Sequence, residues 1–258
     1  MIFIKVTKLI SIGILLYLGC LLFREPAKHF YEINFIEEVN TPILADNFNK
    51  GITPHYWNII ERGYNYNNEL QYYTKENVTV ENGYLTITAQ KEPYKDHEYT
   101  SGLLTTQGKF EFLYGKVIFK AKPAIGQGLL SAVWLLPADD SLFPEIDIIE
   151  VLGSEPYEIW TGVHYLNPII VTSDFNKYSK SNDGFSTYEL EWNKNEIKWY
   201  IDGNLVHQTK SGVPNTPMYL LINLAVGGDW PKNPDNKDLP SDFLIDYIII
   251  IPEKSHQK

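Results

Sequence analysis

Three carboxylates stand within six residues of one another, at Glu145, Asp147 and Glu150, in a segment that is otherwise apolar. The segment is typical of a buried β-strand, and a strand sends alternate side chains to opposite faces. Glu145 and Asp147 therefore share one face, while Ile146 and Ile148 point into the core. One extra residue, accommodated as a β-bulge, would return Glu150 to the acidic face.

Acids arranged in this way suit glycoside hydrolysis, which needs one carboxyl group as nucleophile or base and another as proton donor. Retaining enzymes hold the two groups roughly 5–5.5 Å apart, and long side chains leaning together from one strand face could reach that separation. A third acid between them can keep the protonation states of the outer pair different. An edge strand with a solvated acidic face would give the same pattern, so the rest of the chain must decide.

The composition allows one sizeable core and argues against a nucleic-acid partner. The chain has 258 residues, 44% of them hydrophobic, and a formal net charge of -10, which would repel phosphate groups. Its 18 Tyr, 12 Phe and 6 Trp residues favour strands and fill β cores, although their rings could also stack on sugars. We expect a monomer.

Residues 1–23 predict a targeting segment. Lys5 and Lys8 precede an apolar run over residues 9–23, which is shorter than the ~20 residues of a comfortable membrane span. A secretory signal peptide fits this run, and an uncleaved membrane anchor fits it if residues 2–4 contribute. We therefore expect the protein outside the cell or in the cell envelope.

Cys20, the only cysteine, follows Leu18-Gly19 as in a bacterial lipoprotein processing site, so a lipid anchor is an alternative. A processed chain would have no cysteine left, which excludes disulfides. Residues 24–42 are expected to form a spacer before the folded domain.

The remainder of the chain predicts an all-β fold, because short β runs separated by turn residues follow one another without helical periodicity. A clear hairpin joins residues 187–193 to residues 196–202. We expect a two-sheet β-sandwich of jelly-roll (concanavalin-like) type over residues 43–252, with a cleft on its concave face and a tail at residues 253–258.

The acidic hexapeptide 145–150 resembles the signature of glycoside hydrolase family 16. Its bulged form is typical of laminarinases, which cut β-1,3-glucans, whereas the unbulged form is typical of lichenases. Further segments resemble the laminarinase branch and follow the family's order between about Asp46 and Ile251: Asn67–Thr74, Tyr99–Gly102, Tyr114–Lys116, Ala132–Pro137, Gly162–Tyr165, Glu191–Trp192, Lys198–Gly203, Leu221–Pro231 and Asp246–Tyr247.

The resemblance implies a role for each acid. Glu145 would be the nucleophile and form a covalent glycosyl-enzyme. Glu150 would be the acid/base, and Asp147 would assist by hydrogen bonding to the nucleophile. Retention at the anomeric carbon follows from this arrangement, and no cofactor is needed for it.

Four further residues match family positions that contact the sugar. Asn68 and Trp134 correspond to residues that line the cleft, His164 to a histidine near the acid/base, and Trp230 to a loop at the cleft rim. Each also has a structural explanation: a turn residue, a core tryptophan, a strand histidine and surface packing.

Family members often carry a structural Ca²⁺ on the side away from the cleft. The resemblance implies that Asp246 and a backbone carbonyl near Gly83 would hold it, and oxygen ligands suit calcium. From the sequence alone, Asp246 is an ordinary strand acid.

Three departures from the laminarinase pattern concern sugar contacts. Leu130-Ser131-Ala132 stands where Trp-Pro-Ala is usual, Leu103 stands where Arg commonly follows Ser-Gly, and the segment before Glu145 is shorter. A lost stacking ring could cost on the order of 1 kcal/mol at a subsite.

Since the three carboxylates are in place, we expect a retaining endo-glycosidase that hydrolyses β-1,3-glucan. The alternatives are the same chemistry on mixed-linkage β-glucan or a galactan, transglycosylation, and a non-catalytic carbohydrate-binding surface protein.

Overall fold

The computed structural model describes residues 44–181 and 184–253, which form strands, turns and two 3-10 turns (Lys75–Asn77 and Asn236–Asp238), without an α-helix in these ranges. The strands are β1 (Leu44–Asp46), β2 (Asn58–Ile59), β3 (Gln71–Tyr73), β4 (Val78–Glu81), β5 (Tyr84–Ala89), β6 (Tyr99–Ser101), β7 (Leu103–Thr105), β8 (Gly115–Lys122), β9 (Leu129–Pro137), β10 (Glu145–Leu152), β11 (Glu158–Leu166), β12 (Val171–Ser179), β13 (Ser186–Trp192), β14 (Ile197–Ile201), β15 (Asn204–Thr209), β16 (Met218–Val226) and β17 (Ser241–Pro252).

The predicted targeting segment 1–23, the spacer 24–42 and all but the first residue of the tail lie outside the described residues. Over the residues that are described, no helix has both the length and the apolar character needed to cross a lipid bilayer.

Two antiparallel sheets build the fold. One has eight strands in the order β15-β14-β13-β8-β17-β5-β4, with β1 added alongside β17, and the other has seven in the order β12-β11-β10-β9-β16-β7-β2. A separate parallel pair joins β3 to β6. The predicted all-β sandwich of jelly-roll type is confirmed.

The core lies between the sheets, where alternate residues of the strands meet. On the eight-stranded sheet, Val117 and Phe119 of β8 are fully buried, while the alternate residues Lys116 and Ile118 are only partly buried, and Lys116 faces outward. The Lys116 ammonium contacts the carboxylates of Glu189 and Glu191 at 2.7 and 2.8 Å. The outer face of this sheet is therefore charged and solvated, as alternation requires.

The seven-stranded sheet has two covered faces at its centre. Every residue of β16 is buried, which is unusual for a strand with one wet face. Its inner side chains, such as Leu220 and Ile222, enter the core, whereas Tyr219 and Leu221 pack with Leu103 on the other face. This second apolar layer forms the floor of a cleft.

Candidate active site

A bulge in β10 places the three acids on the cleft face. Asp147 pairs with Trp134 of β9, but the next residue to pair with β9 is Ile149, so Ile148 is an extra residue. Both isoleucines are buried in the core. The register against β11 shifts over the same stretch. The predicted bulge is confirmed, and it returns Glu150 to the face of Glu145 and Asp147.

A tryptophan from the opposite sheet fixes this irregular backbone. Trp199 of β14 is buried, and its indole N–H donates a hydrogen bond to the backbone carbonyl of Asp147 at 2.9 Å. His207 stacks on the same indole with ring centroids 4.4 Å apart. A bulge leaves ladder groups unpaired, so a buried donor aimed at this carbonyl holds the position of the acids.

The cleft has a volume of about 650 Å³ and extends across the seven-stranded sheet from β7 to β12. Its lining combines acids, aromatic rings and aliphatic side chains, contributed by the sheet and by the chain before β3 and after β16. The lining residues are Arg62, Tyr66, Asn67, Glu69, Tyr73, Leu103, Leu130, Ala132, Trp134, Leu136, Leu142, Phe143, Glu145, Asp147, Glu150, Trp160, His164, Val171, Phe175, Asn223, Asp229 and Trp230.

The three acids have strongly shifted proton affinities. Desolvation by burial raises the pKa of Glu145 to about 7, although a hydrogen bond from Asp147 opposes this shift. Desolvation, with the charge of Glu145 and then of Glu69, raises the pKa of Glu150 to about 8. Burial and the charges of both outer acids raise the pKa of Asp147 well above its usual range. The hydrogen bond from Asp147 therefore favours the carboxylate form of Glu145, whereas burial and both neighbouring charges favour the protonated form of Glu150.

His164 lies beside Glu145 and Asp147. Its Nε2 is 3.4 Å from Asp147 Oδ2 and 4.0 Å from Glu145 Oε1, while Nδ1 is 2.6 Å from the hydroxyl of Ser173. Burial lowers the pKa of His164, so the ring is neutral at pH 7 and does not oppose the raised pKa of the carboxyl groups. The expected neighbour was Glu150, but Glu145 is the residue that pairs with His164 across the ladder.

A chain of hydrogen bonds crosses the cleft floor. The Trp134 indole donates to Asn223 Oδ1 at 2.8 Å, and the Asn223 amide donates to the Tyr73 hydroxyl at 3.1 Å. Glu69 Oε2 accepts from Tyr73 at 3.4 Å and from Gln71 Nε2 at 2.8 Å. The network fixes the plane of the Trp134 ring and brings a fourth carboxylate into the cleft.

Comparison with known proteins identifies the family. The family model for glycosyl hydrolases family 16 matches residues 65–248, which include all three acids. The chain belongs to glycosyl hydrolase family 16. It is 32% identical over 228 residues to a beta-glucanase of Rhodothermus marinus, which covers 76% of this chain and 78% of that protein.

Two further relatives of this family 16 enzyme are informative. The laminarinase catalytic domain from Thermotoga maritima MSB8 superposes with a TM-score of 0.76 and 33% identity, covering 83% of this chain and 98% of that chain. The glucan endo-1,3-beta-glucosidase A1 of Niallia circulans is 30% identical over 243 residues, covering 77% of this chain but only 36% of that protein.

The predicted sugar-contacting residues are partly brought together. Trp134 and His164 line the cleft, and so does Trp230, which is 37% exposed. Asn68 is not among the lining residues; its amide donates to Asp229 Oδ1 at 3.0 Å, and its positive φ of 57° marks a turn. Asn68 therefore shapes the loop that carries lining residues on either side of it.

Trp160 is a cleft residue that the sequence interpretation missed. It pairs with Glu150 across the ladder, and its ring meets Trp230 edge-on with centroids 5.7 Å apart. Alternation along β11 puts Trp160, Gly162 and His164 on one face. Because His164 was predicted at the cleft, this alternation could have indicated that Trp160 lies there too. Leu103 and Leu130, which stand where the family pattern commonly has Arg and Trp, both line the cleft. The cleft floor is therefore apolar at these two positions.

The residues predicted to hold calcium lie away from the cleft. Asp246 Oδ2 is 3.2 Å from the ammonium of Lys120, and Gly83 occupies a turn with φ 81°. A calcium ion takes six to eight oxygen ligands, and the ammonium competes for the one side-chain carboxylate of the predicted set. The set does not fit a calcium ion unless Lys120 moves.

The raised pKa values of Glu145 and Glu150, with the roles implied for them, predict a bell-shaped pH dependence of kcat/KM. Activity should rise as Glu145 loses its proton near pH 7 and fall as Glu150 loses its proton near pH 8. In Asp147→Ala, loss of the hydrogen bond that lowers the pKa of Glu145 should move the acid limb to higher pH. Asp147→Asn keeps a donor and should move it less. Identical acid limbs in all three proteins would exclude this role for Asp147.

Proposed function

We propose that this protein is a retaining endo-glycosidase that hydrolyses β-1,3-glucan by double displacement. The observation that carries the proposal is the bulged strand β10, which presents Glu145, Asp147 and Glu150 together to a cleft that extends from β7 to β12. The surroundings of the two outer acids support the assignment, because a hydrogen bond lowers the pKa of Glu145 while burial and neighbouring charges only raise that of Glu150; the nucleophile must be ionised while the proton donor is still protonated.

In the first step, the Glu145 carboxylate attacks the anomeric carbon while the Glu150 carboxyl gives its proton to the departing glycosidic oxygen. The glycosidic bond breaks, and a covalent glycosyl-Glu145 ester forms. In the second step, the ionised Glu150 takes a proton from water, whose oxygen attacks the anomeric carbon. The ester bond breaks, Glu145 returns as a carboxylate, and the sugar keeps its original configuration.

The surroundings of Glu145 support its role as the nucleophile. A hydrogen bond from Asp147 lowers the pKa of Glu145 and so favours the carboxylate needed at the start of each cycle. Because the neutral His164 ring lies 4.0 Å away, it adds a polar group without a formal charge. Enzymes of this family need no cofactor for catalysis.

The names of the relatives support β-1,3-glucan as substrate. The Thermotoga protein is a laminarinase and the Niallia protein a glucan endo-1,3-beta-glucosidase. The same acids would cut mixed-linkage β-glucan or a galactan, and the apolar residues Leu103 and Leu130 change the floor on which a sugar would lie. Cleavage assays on polymers of different linkage therefore measure the linkage preference.

The test is release of reducing ends from laminarin, curdlan, lichenan, agarose and carrageenan by the purified protein, with Glu145→Gln as the matched control. We expect cleavage of laminarin that is absent in the control, and products of intermediate length early in the reaction. Cleavage of another polymer alone would reassign the substrate. Binding without cleavage by the wild-type protein would support a carbohydrate-binding function and exclude the proposed chemistry.

We also propose that residues 1–23 direct the protein to the cell exterior or envelope, as a signal peptide, a lipid anchor at Cys20 or an uncleaved anchor. The support is the apolar run after Lys5 and Lys8. Mass spectrometry of the N-terminus from fractionated cells tests it, and an intact N-terminus on protein found only in the cytoplasm would refute it.

The structural calcium stays a prediction, and melting curves decide it. If Ca²⁺ binds through Asp246, adding it should raise Tm, EGTA should reverse the effect, and Asp246→Asn should abolish it. If the Lys120 ammonium already satisfies Asp246, Ca²⁺ should leave Tm unchanged in both proteins.

A further inference from the structure

The cleft contains an arginine in a domain that otherwise uses lysine for its positive charge. Of the 22 Lys and Arg residues in the chain, only Arg24 and Arg62 are arginine, and Arg62 is the one within the described ranges. It lines the cleft. Arginine differs from lysine in its planar fork of five N–H donors and in its ability to stack on rings. An arginine at this position therefore indicates a binding partner that accepts hydrogen bonds from several of these donors.

The backbone holds Arg62 firmly against β3. Its N–H donates to the Tyr73 carbonyl at 3.1 Å, and the Tyr73 N–H donates to the Arg62 carbonyl at 2.9 Å. The guanidinium carbon lies 5.9 Å from the centroid of the Tyr73 ring. The side chain is thus oriented by a ring and a two-way backbone bridge before any ligand binds.

The guanidinium has no hydrogen-bond partner among the residues that the structure describes. The Arg62 Nε is shielded from solvent and unpaired. The charge of Arg62 lowers the pKa of Glu69, but within the described residues the two side chains form no ion pair. Glu69 instead accepts from Gln71 and Tyr73. A shielded donor without an acceptor costs free energy, and because Arg62 lines the cleft, a ligand there can supply acceptors to the guanidinium.

The strand pairing of the Arg62 segment indicates how far Arg62 lies from the glycosidic bond that is cleaved. The backbone N–H of Ile60 donates to the Leu103 carbonyl at 2.9 Å, which joins the segment of Arg62 to β7. Strand β7 lies three strands from β10, or about 14 Å along the sheet at roughly 4.8 Å per strand. A group bound by Arg62 therefore belongs to a sugar unit away from the one being cleaved.

We propose that Arg62 is a substrate-binding residue that donates hydrogen bonds to hydroxyl oxygens of a neutral sugar unit at a remote subsite. The inference rests on the proposed function, since it takes the cleft ligand to be a glucan chain. The guanidinium carbon lies 5.9 Å from the centroid of the Tyr73 ring, and Leu103, which lines the same cleft, is apolar and 2% exposed, so Arg62 brings a fork of donors that Leu103 does not have.

The charge of the cleft selects a neutral ligand over an anionic one. Arg62 is the only lysine or arginine among the lining residues, and His164 is neutral because burial lowers its pKa. Five lining residues are acids: Glu69, Glu145, Asp147, Glu150 and Asp229. A sulfated or carboxylated polymer would find only one cationic side chain in the lining, beside acids that become negative as they ionise, whereas sugar hydroxyls accept hydrogen bonds from a guanidinium without added charge.

Binding in a catalytically silent protein tests the role of Arg62 without relying on activity. In the Glu145→Gln background, laminarihexaose affinity would be measured by calorimetry with Arg62 intact and with Arg62→Gln or Arg62→Lys. We expect Arg62→Gln to weaken binding by about 10- to 100-fold, and Arg62→Lys to restore only part of the loss, because a single ammonium cannot replace the fork.

Lys95→Gln is the matched control. The Lys95 ammonium contacts the Tyr72 and Tyr94 rings and donates a hydrogen bond to the Tyr72 hydroxyl, outside the cleft lining. This variant therefore removes one charge and its contacts elsewhere, and it should bind as well as its parent. In the active protein, Arg62→Gln should raise KM for laminarin and leave kcat within about twofold, because the remote contact contributes to binding.

Three results would overturn the proposal: unchanged affinity in Arg62→Gln, equal weakening in Lys95→Gln, or tighter Arg62-dependent binding of carrageenan than of laminarin. Melting curves of each variant separate lost binding from lost folding. If the wild-type protein failed to cleave any glucan yet Arg62→Gln still weakened hexaose binding, the proposed hydrolysis would fail while the role of Arg62 stood.

Discussion

Glu145→Gln is expected to lower kcat on β-glucan by at least about 10⁴-fold, because the amide cannot form the glycosyl ester on which both steps depend. The variant keeps the size of the side chain, so the cleft and the bulge that positions it are preserved. Reducing-end release and single-turnover trapping of a glycosylated peptide containing residue 145 measure the effect. Hydrolysis at the wild-type rate would exclude Glu145 as the nucleophile.

The same substitution should make the folded protein more stable at alkaline pH. The native pKa of Glu145 is about 7, above the ordinary value of 4.5, so the native state binds more protons than the unfolded state between these values. Stability therefore falls as the pH rises through this window, and the loss is complete above pH 7. Glu145→Gln removes this loss, which could reach about 3 kcal/mol.

Melting curves at two pH values check this effect and also control for folding. Tm of Glu145→Gln should exceed that of the wild-type protein at pH 8 and match it at pH 4, where the carboxyl group is protonated in both states. A lower Tm at pH 8 would mean that the carboxylate is stabilised in the native cleft, contrary to its raised pKa. An inactive variant with a higher Tm would show that activity was lost through chemistry.

The strand of acids and its bulge were predictable from the sequence because both follow from alternation. Isoleucines belong in the core and carboxylates outside it, and the spacing of Glu150 from Asp147 can satisfy that rule only with one extra residue. The two-sheet fold followed from similar local patterns. Trp199, which donates to the Asp147 carbonyl from the opposite sheet, was not predictable as the support of the bulge, because no local pattern shows which strands face each other.

The rest of the cleft depends on long-range pairing. Trp160 meets Glu150 and His164 meets Glu145 through the register of β11 against β10, which the sequence of either strand alone does not fix. Arg62 and Glu69 lie on the chain before β3 and enter the cleft because that chain folds over the edge of the seven-stranded sheet. Family resemblance placed Asn68, Trp134, His164 and Trp230 at the cleft; the last three line it, Asn68 does not, and Arg62 was not indicated.

Removing the acid/base should produce a different kind of defect from removing the nucleophile. Glu150→Ala is expected to lower kcat on laminarin by about 10²- to 10⁴-fold, the usual contribution of general acid–base catalysis. The loss should be smaller with a glycoside whose leaving group is a weakly basic phenol, since such a group departs without a proton. The alkaline limb near pH 8 should disappear together with the carboxyl group that causes it.

Azide distinguishes the two acids by the configuration of the product. In Glu150→Ala the glycosyl-Glu145 ester still forms from an activated glycoside, and azide, which needs no general base, can replace water in the second step. The product should be a glycosyl azide with retained configuration. In Glu145→Ala no ester forms, so azide must attack from the side that the nucleophile vacated and give the inverted product. A glycosyl azide of retained configuration from Glu145→Ala, or of inverted configuration from Glu150→Ala, would exchange the roles of nucleophile and acid/base.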